Sequence, residues 1–455
     1  MAAEGIDTAK VRSLYERELE TFRRERPRST ALRERARRSM PNGVPMAWMV
    51  SDNDVPVFVT EGKGSHFRDV DGHDYLDTNI ADTSMFCGYA PPQVVDAVTR
   101  RVATGTQFLL PSEDSIWVAE ELARRYGLPR WQFTLSASQA NTEAIRVARA
   151  ATGREKVLLF DGHYHGHFDE ATVTLDSGEA APFGRGLPHD VTDRVRVVPF
   201  NDLDAVRAAL APRDVAIVLT EPALTNNLGL QLPVDGFHEG LRAEARAAGT
   251  VLAYDETHTH IVGPGGCTAR WGLEPDVVTL GKSIAGGIPL GAYGMVEALA
   301  GELELEGTGH HASEIATGGT LFGNPLSMAA ARATLGSILS DEAYAHTARL
   351  GTRLADGIQA AIDAAALPWV AHRFGPRSGT TFAPALPRDA ETSRRSWDDR
   401  LTRTLRLWLG NRGVWEAIAG AGPTMSVPAD DDDVDRYVDA YAGLLAALTD
   451  RGSSG

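Results

Sequence analysis

Between about residues 90 and 300 the chain alternates short unbroken apolar runs with longer stretches whose apolar positions recur every three or four residues. Residues 157–160, Val215–Thr220, Val251–Asp255 and Val277–Leu280 are such runs, rich in valine and leucine. Runs of this length without polar alternation predict strands covered on both faces, as in a parallel sheet. Residues 139–151 and 236–248 have helical periodicity, and in the first of them Ala140, Ala144, Val147, Ala148 and Ala151 share a face that would dock on the sheet. The first forty residues are charged and helical in pattern and stop at the turn Pro41-Asn42-Gly43. A small β segment follows, with strands at 55–59 and 65–69 around a turn at Glu61-Gly62-Lys63-Gly64, then Asp71-Gly72 leading into Tyr75-Leu76-Asp77. Past residue 330 come a long helix (329–339, resuming after Asp341) and a loop-rich mixed tail. The expected fold class is therefore α/β, with a large domain over 71–328 built on a mostly parallel central sheet. An N-terminal helix and β segment (1–70) and the C-terminal segment (329–455) would form a smaller α/β domain.

Composition narrows the class of function. With 43% hydrophobic and 23% charged residues over 455 positions, the chain is globular and long enough for two or three domains. A formal net charge of −16 argues against a nucleic-acid or anionic-membrane partner, though not against a small anion held locally. Cys87 and Cys267 are the only cysteines, which argues against a disulfide scaffold or a cysteine zinc site and for a reducing compartment. The charged N-terminus has no signal-peptide core, and no run approaches the roughly 20 apolar residues that span a bilayer. A cytoplasmic protein is the expectation.

Three features would meet at the carboxyl edge of such a sheet, where open α/β folds bind ligands. One strand candidate ends in Asp255-Glu256, another runs into Gly281-Lys282, and Ser136-Ala137-Ser138-Gln139 opens a helix. Each has an ordinary explanation: a strand-end aspartate caps a helix, a lysine is solvated, and a serine turn is an N-cap. Together they supply an acid, an amine and an anion-ready helix start. Pyridoxal phosphate chemistry needs that set, with a lysine to form the Schiff base and a carboxylate to pair with the pyridinium nitrogen.

The segment from Thr279 to Gly294, Thr-Leu-Gly-Lys-Ser-Ile-Ala-Gly-Gly-Ile-Pro-Leu-Gly-Ala-Tyr-Gly, resembles the lysine segment of class III aminotransferases. The likeness is greater to the branch holding glutamate-1-semialdehyde aminomutase and the aryl amino-acid transaminases. Lys63-Gly64-Ser65 with Asp69-Val70-Asp71-Gly72, Arg146-Val147-Ala148-Arg149 with Gly162-His163-Tyr164-His165-Gly166, Glu221-Pro222, Asp255-Glu256 and Gly318 to Pro325 are similar to further family segments in the same order. The resemblance implies Lys282 as the Schiff-base lysine and proton carrier, Asp255 at the pyridinium nitrogen and Tyr164 stacked on the ring. It implies phosphate contacts from Ala137 and Ser138, a supporting carboxylate in Glu221, and Thr257 against the ring. Thr320 would reach the phosphate of a neighbouring subunit, making a homodimer the active unit. The implied function is an aminotransferase acting on a small-molecule amino donor and a keto acceptor; the alternative is an aminomutase, racemase or lyase on the same cofactor.

Departures from the family pattern concern the substrate. Ser-Ala-Ser-Gln stands for the usual Ser-Gly-Thr-Glu, and Asp-Glu-Thr for Asp-Glu-Val. Arginines that several relatives use for a substrate carboxylate are absent from Val44-Pro45-Met46-Ala47-Trp48-Met49 and from His258-Thr259-His260-Ile261. An amine substrate, or an acid held differently, is the expectation, with His163, His258 and Arg412 as holders and Trp48 and Trp415 shaping an apolar pocket. The His-x-His pairs and His310-His311 raise a metal site, which the ring-stacking segment largely accounts for, so no metal is expected. Gly281-Lys282-Ser283 fails as a P-loop because Asp276 occupies the glycine position. Asp430 to Asp433 lacks the glycine and glutamate of a calcium loop and reads as a charged helix start.

Overall fold

A computed structural model describes residues 5–50, 57–225, 228–304, 315–416, 420 and 422–450. The chain divides into two compact units: Pro92–Asp341 with Arg388–Ser393, and Met1–Pro91 with Glu342–Pro387 and Arg394–Gly455. The Asp74–Asp77 strand thus belongs with the N-terminal segment, and the Pro325–Ser337 helix with the larger unit.

The larger unit is built on a seven-stranded sheet in the order Arg130–Thr134, Gly291–Met295, Val277–Leu280, Val251–Asp255, Val215–Thr220, Lys156–Phe160 and Val195–Val198. Only Gly291–Met295 runs against its neighbours, so the sheet is parallel with one reversed strand. Every residue of Val215–Thr220, Val251–Asp255 and Val277–Leu280 is buried. Successive side chains feed opposite faces. Leu159, Leu219, Val251 and Ala253 pack with the Ala140, Ala144, Val147 and Ala148 stripe of the Ala137–Thr152 helix. Leu158, Phe160, Val218, Leu252 and Tyr254 pack with Phe237, Leu241 and Ala245 of the Phe237–Ala248 helix. Both faces are covered, which is why these strands carry no polar alternation.

The smaller unit holds a four-stranded sheet of Val59–Lys63, His66–Asp69, Asp74–Asp77 and Val414–Trp415, the last parallel to its neighbour. The first strand differs from the sequence expectation, which put a turn at residues 61–64. Glycine at 62 serves close packing here and not a turn: a Cβ there would lie 2.6 Å from the Tyr89 ring. Residues 51–56, the start of the expected strand, lie outside the described residues. The helices Thr8–Glu25, Asp341–Ala364, Asp399–Gly410 and Asp431–Thr449 contribute Leu14, Leu354, Ile358, Leu409, Tyr437 and Leu444 to one core. Asp430 and Asp433 form a reciprocal capping box at the last helix, the role their charge pattern suggested. Among the described residues no helix is long and apolar enough to cross a membrane.

One buried acid in this unit makes its stability pH-dependent. Glu416 follows the Val414–Trp415 strand, and its Oε2 meets no hydrogen-bond partner among the described residues. Burial pushes its carboxyl up to about 7, against a smaller opposing pull from Arg406. A carboxyl with a folded pKa above its unfolded value, 4.5, favours folding when protonated. Its contribution is complete below about pH 4.5 and is lost as pH rises through about 7, a loss of about 3 kcal/mol. Glu416→Gln is therefore expected to melt about 5 °C above the parent protein at pH 8 and level with it at pH 4.5. An equal shift at both pH values would remove ionisation as the cause.

Candidate active site

Strand register gathers the chemistry at one edge of the large sheet. Tyr254 pairs with Thr220 and Asp255 with Thr279, so Glu221, Asp255 and Lys282 emerge together at the carboxyl ends of adjacent strands. That edge is where an open α/β sheet exposes groups to a ligand.

Asp255 is 2% exposed and accepts three hydrogen bonds. Asn141 Nδ2 donates at 2.8 Å and His165 Nδ1 at 2.9 Å to Oδ2, and the Thr257 amide donates at 3.0 Å to Oδ1. Burial alone would raise the carboxyl pKa, but His165, Thr257 and Asn141 outweigh it and hold the group at about 2. An ionised carboxylate is thus kept ready for a cationic partner. Asn141 is the hub of the arrangement: its Oδ1 accepts from Thr279 Oγ1 at 2.6 Å, and its Nδ2 also reaches the His165 carbonyl at 2.9 Å. Sequence reading missed Asn141 and Thr279 and gave His165 no role of its own. The available signal was Asn141 itself, a polar residue one turn along from Ala137 on an otherwise apolar helix stripe.

Lys282 follows its strand in the left-handed region, with φ 56°. Gly281 before it is pressed on the helix start, where a Cβ would come within 2.9 Å of Ala137 Cβ. The lysine turn and the Ala137–Thr152 helix N-terminus are therefore in contact. Ser136 caps that helix, accepting from the Gln139 amide at 3.3 Å, and Gln139 Oε1 accepts from the Leu135 amide at 3.1 Å. Ala137 and Ser138 lie in the first turn, whose amides have no carbonyl a turn earlier to bond. Ser138 Oγ accepts from the His167 amide at 3.1 Å, which fixes the hydroxyl beside those amides. Alanine in place of the usual glycine costs nothing here, since Ala137 is helical with negative φ.

Beside Asp255, Glu221 is 1% exposed and accepts from the Tyr164 amide at 3.3 Å and from Thr225 Oγ1 at 3.1 Å. His258 Nδ1 lies 3.4 Å from Glu221 Oε2, and its ring stands 6.2 Å from the Tyr164 ring. His163 stacks on His165 at 5.1 Å and has Nδ1 on the Phe160 carbonyl at 2.6 Å and Nε2 on the Ala171 carbonyl at 3.2 Å. Burial, with His165 adding, lowers its pKa to about 4 and keeps it uncharged at neutral pH. Both histidines expected to hold substrate thus face groups of the chain.

Thr257 is buried, and its hydroxyl has no hydrogen-bond partner among the described residues. Thr320 is exposed, and its carbonyl accepts from the Gln107 side-chain amide. Three of the expected substrate residues belong to the smaller unit. Trp48 is 42% exposed, Arg412 donates to Glu18 Oε2 at 3.1 Å and to the Trp408 carbonyl at 2.7 Å, and Trp415 packs edge-on against Phe67 and Tyr75. Glu256, the second carboxylate of the pair, is a structural anchor: it accepts from Thr259 Oγ1, the Cys267 amide at 3.1 Å and Thr268 Oγ1 at 2.7 Å. Among the described residues no group of three or more histidines, cysteines or acids could hold a metal ion. His310 and His311 lie outside them.

An ionised carboxylate, an amine-bearing turn, a first helical turn of open amides and an aromatic ring stand on one sheet edge. The donor set fits a phosphorylated pyridine carrying an aldehyde, such as pyridoxal phosphate.

Known proteins agree with that fit. The sequence profile of the family described as aminotransferase class-III matches residues 48–371. A glutamate-1-semialdehyde 2,1-aminomutase 2 of Geobacillus kaustophilus is 33% identical over 431 residues, 92% of this chain and 98% of the relative. A solved glutamate-1-semialdehyde-aminomutase of Pseudomonas aeruginosa PAO1 is 38% identical with TM-score 0.94, covering 98% of this chain and 100% of that one. A lysine-to-alanine form of that enzyme has been solved in complex with PMP. An omega-transaminase of Sphaerobacter thermophilus is 31% identical with TM-score 0.84, covering 93% and 98%.

Proposed function

Because the chain belongs to the class III aminotransferase family, we propose that it holds pyridoxal 5′-phosphate at this sheet edge and moves an amino group within one small substrate, as an aminomutase. The observation that carries the cofactor reading is the meeting of Lys282, Asp255 and the Ala137–Thr152 helix start. When bound, the cofactor supplies an electron sink that lets the bond to hydrogen beside the amine ionise. Asp255 holds negative charge where the ring nitrogen needs it. Ala137 and Ser138 bind phosphate through first-turn amides and a hydroxyl. Tyr164 covers one ring face and Thr257 the other. Lys282 tethers the cofactor and carries the proton at its Nζ between carbon atoms. The active unit is a homodimer in which Thr320 of the partner subunit adds to the phosphate site; its exposure supports that role.

The order of the two functional expectations changes. The sequence alone put transamination first, whereas the relatives named above give more support to the aminomutase alternative. The transaminase reading keeps a specific support in the omega-transaminase neighbour, whereas the arginine-free stretches at 44–49 and 258–261 weigh toward a mutase, racemase or lyase, because a transaminase must hold a donor and an acceptor in turn. A substrate with amine and carbonyl on adjacent carbons, such as glutamate-1-semialdehyde, separates the two. An aminomutase forms an isomer of equal mass with no second substrate consumed. Carbonyl product appearing one-for-one with amination of an added keto acid would overturn it in favour of transamination.

A further inference from the structure

The backbone at Lys282 is strained. A side-chain-bearing residue at φ 56° costs on the order of 1–2 kcal/mol relative to an ordinary conformation, and it persists only where its surroundings hold it there. On the upstream side the contact of Gly281 with Ala137 fixes the chain. Downstream, Ser283 is 0% exposed, and its Oγ lies 3.0 Å from His260 Nε2, itself on a residue 2% exposed. His260 is in turn fixed from behind. Its amide donates to the Glu256 carbonyl at 2.8 Å, and the Glu256 carboxylate is anchored on Thr259, Cys267 and Thr268. A continuous set of buried polar contacts therefore runs from the second carboxylate of the Asp-Glu pair to the residue after the lysine.

We infer that the His260–Ser283 pair is a positioning clamp that holds Lys282 in its left-handed turn and so aims its amine. The inference rests on the reading of Lys282 as the cofactor-bearing lysine. His260 acts here as a neutral hydrogen-bonding group, consistent with its burial, which lowers its pKa to about 3. Neither His260 nor Ser283 is a catalytic residue in this scheme. They act through the backbone of their neighbour, and Glu256 acts through His260.

Three measurements test the clamp. In Ser283→Ala apoprotein a crystal structure should carry Lys282 out of the left-handed region; φ remaining near 56° would overturn the inference. Capture of added pyridoxal phosphate at Lys282, read by mass spectrometry after borohydride reduction, should slow about tenfold in Ser283→Ala and His260→Leu. His260→Gln, which keeps a nitrogen within reach of Ser283, should recover most of that rate. Capture at the parent rate in Ser283→Ala would overturn the clamp, and that variant decides if His260→Leu does not fold. In a Lys282→Ala background, Ser283→Ala should leave cofactor affinity unchanged, because its effect passes through the lysine. Equal weakening with and without Lys282 would mean a merely structural role. Parent protein that captures no cofactor would sink the proposed function, while the crystallographic result judges the clamp by itself.

Discussion

Lys282→Ala is expected to lower amino-group transfer about 10²–10⁴-fold through loss of proton transfer alone, with the loss of the tether added to it. The same variant should still bind pyridoxal phosphate, because Asp255, Tyr164 and the helix start are untouched. Binding without turnover is the distinguishing result, measured by a cofactor titration beside a rate assay. Covalent attachment, read after borohydride reduction, should vanish. Turnover within tenfold of the parent would remove the lysine from the chemistry. Stability provides a second reading of the same residue. Alanine keeps a Cβ in the left-handed region, so Lys282→Ala retains the backbone strain, whereas Lys282→Gly relieves it. Glycine should therefore exceed alanine in stability by about 1 kcal/mol in denaturant unfolding. The opposite order would mean that the turn is unstrained.

Much of this site was legible because strand ends announce themselves. Val215–Thr220, Val251–Asp255 and Val277–Leu280 are largely apolar runs, and each leads straight into a polar residue or a glycine: Glu221, the Asp255-Glu256 pair, and Gly281 before Lys282. Parallel pairing then does the rest, since strands in register place whatever follows them side by side. What no local pattern could supply was the partner of each polar group. Asp255 draws its donors from a helix, from the loop after another strand and from its own second neighbour. A list of histidines could not show that His163 Nδ1 lies 2.6 Å from the Phe160 carbonyl or that His258 faces Glu221. Gly62 misled for a related reason. Its lack of a side chain answers the Tyr89 ring, a contact 27 residues away along the chain, and not a turn.

Asp255→Asn is expected to weaken pyridoxal phosphate binding about 10²–10³-fold, the cost of leaving a buried charge without its partner. Turnover should fall further, because a neutral amide no longer stabilises a protonated ring nitrogen. The geometry also predicts how the variant adapts. Three donors converge on the carboxylate, Asn141 and His165 on Oδ2 and the Thr257 amide on Oδ1, so an amide whose oxygen keeps the Thr257 bond fits only if both Asn141 and His165 give way. His165 can do so by moving its proton from Nδ1 to Nε2, a buried nitrogen with no hydrogen-bond partner among the described residues, and Asn141 by exchanging its amide oxygen and nitrogen, since the Thr279 hydroxyl can accept as well as donate. The variant should thus fold, and a nitrogen-15 spectrum should report the tautomer change. An unchanged His165 tautomer with unchanged cofactor affinity would remove Asp255 from the ring nitrogen. The sign of the pH effect follows from the same contacts. Asp255 is held at about 2, below its ordinary 3.8, so its contribution to stability is present above about pH 4 and is lost as pH falls through about 2. Any acid limb of activity above pH 4 must then come from another group, and Asp255→Asn should leave the position of that limb unchanged while lowering the rate throughout.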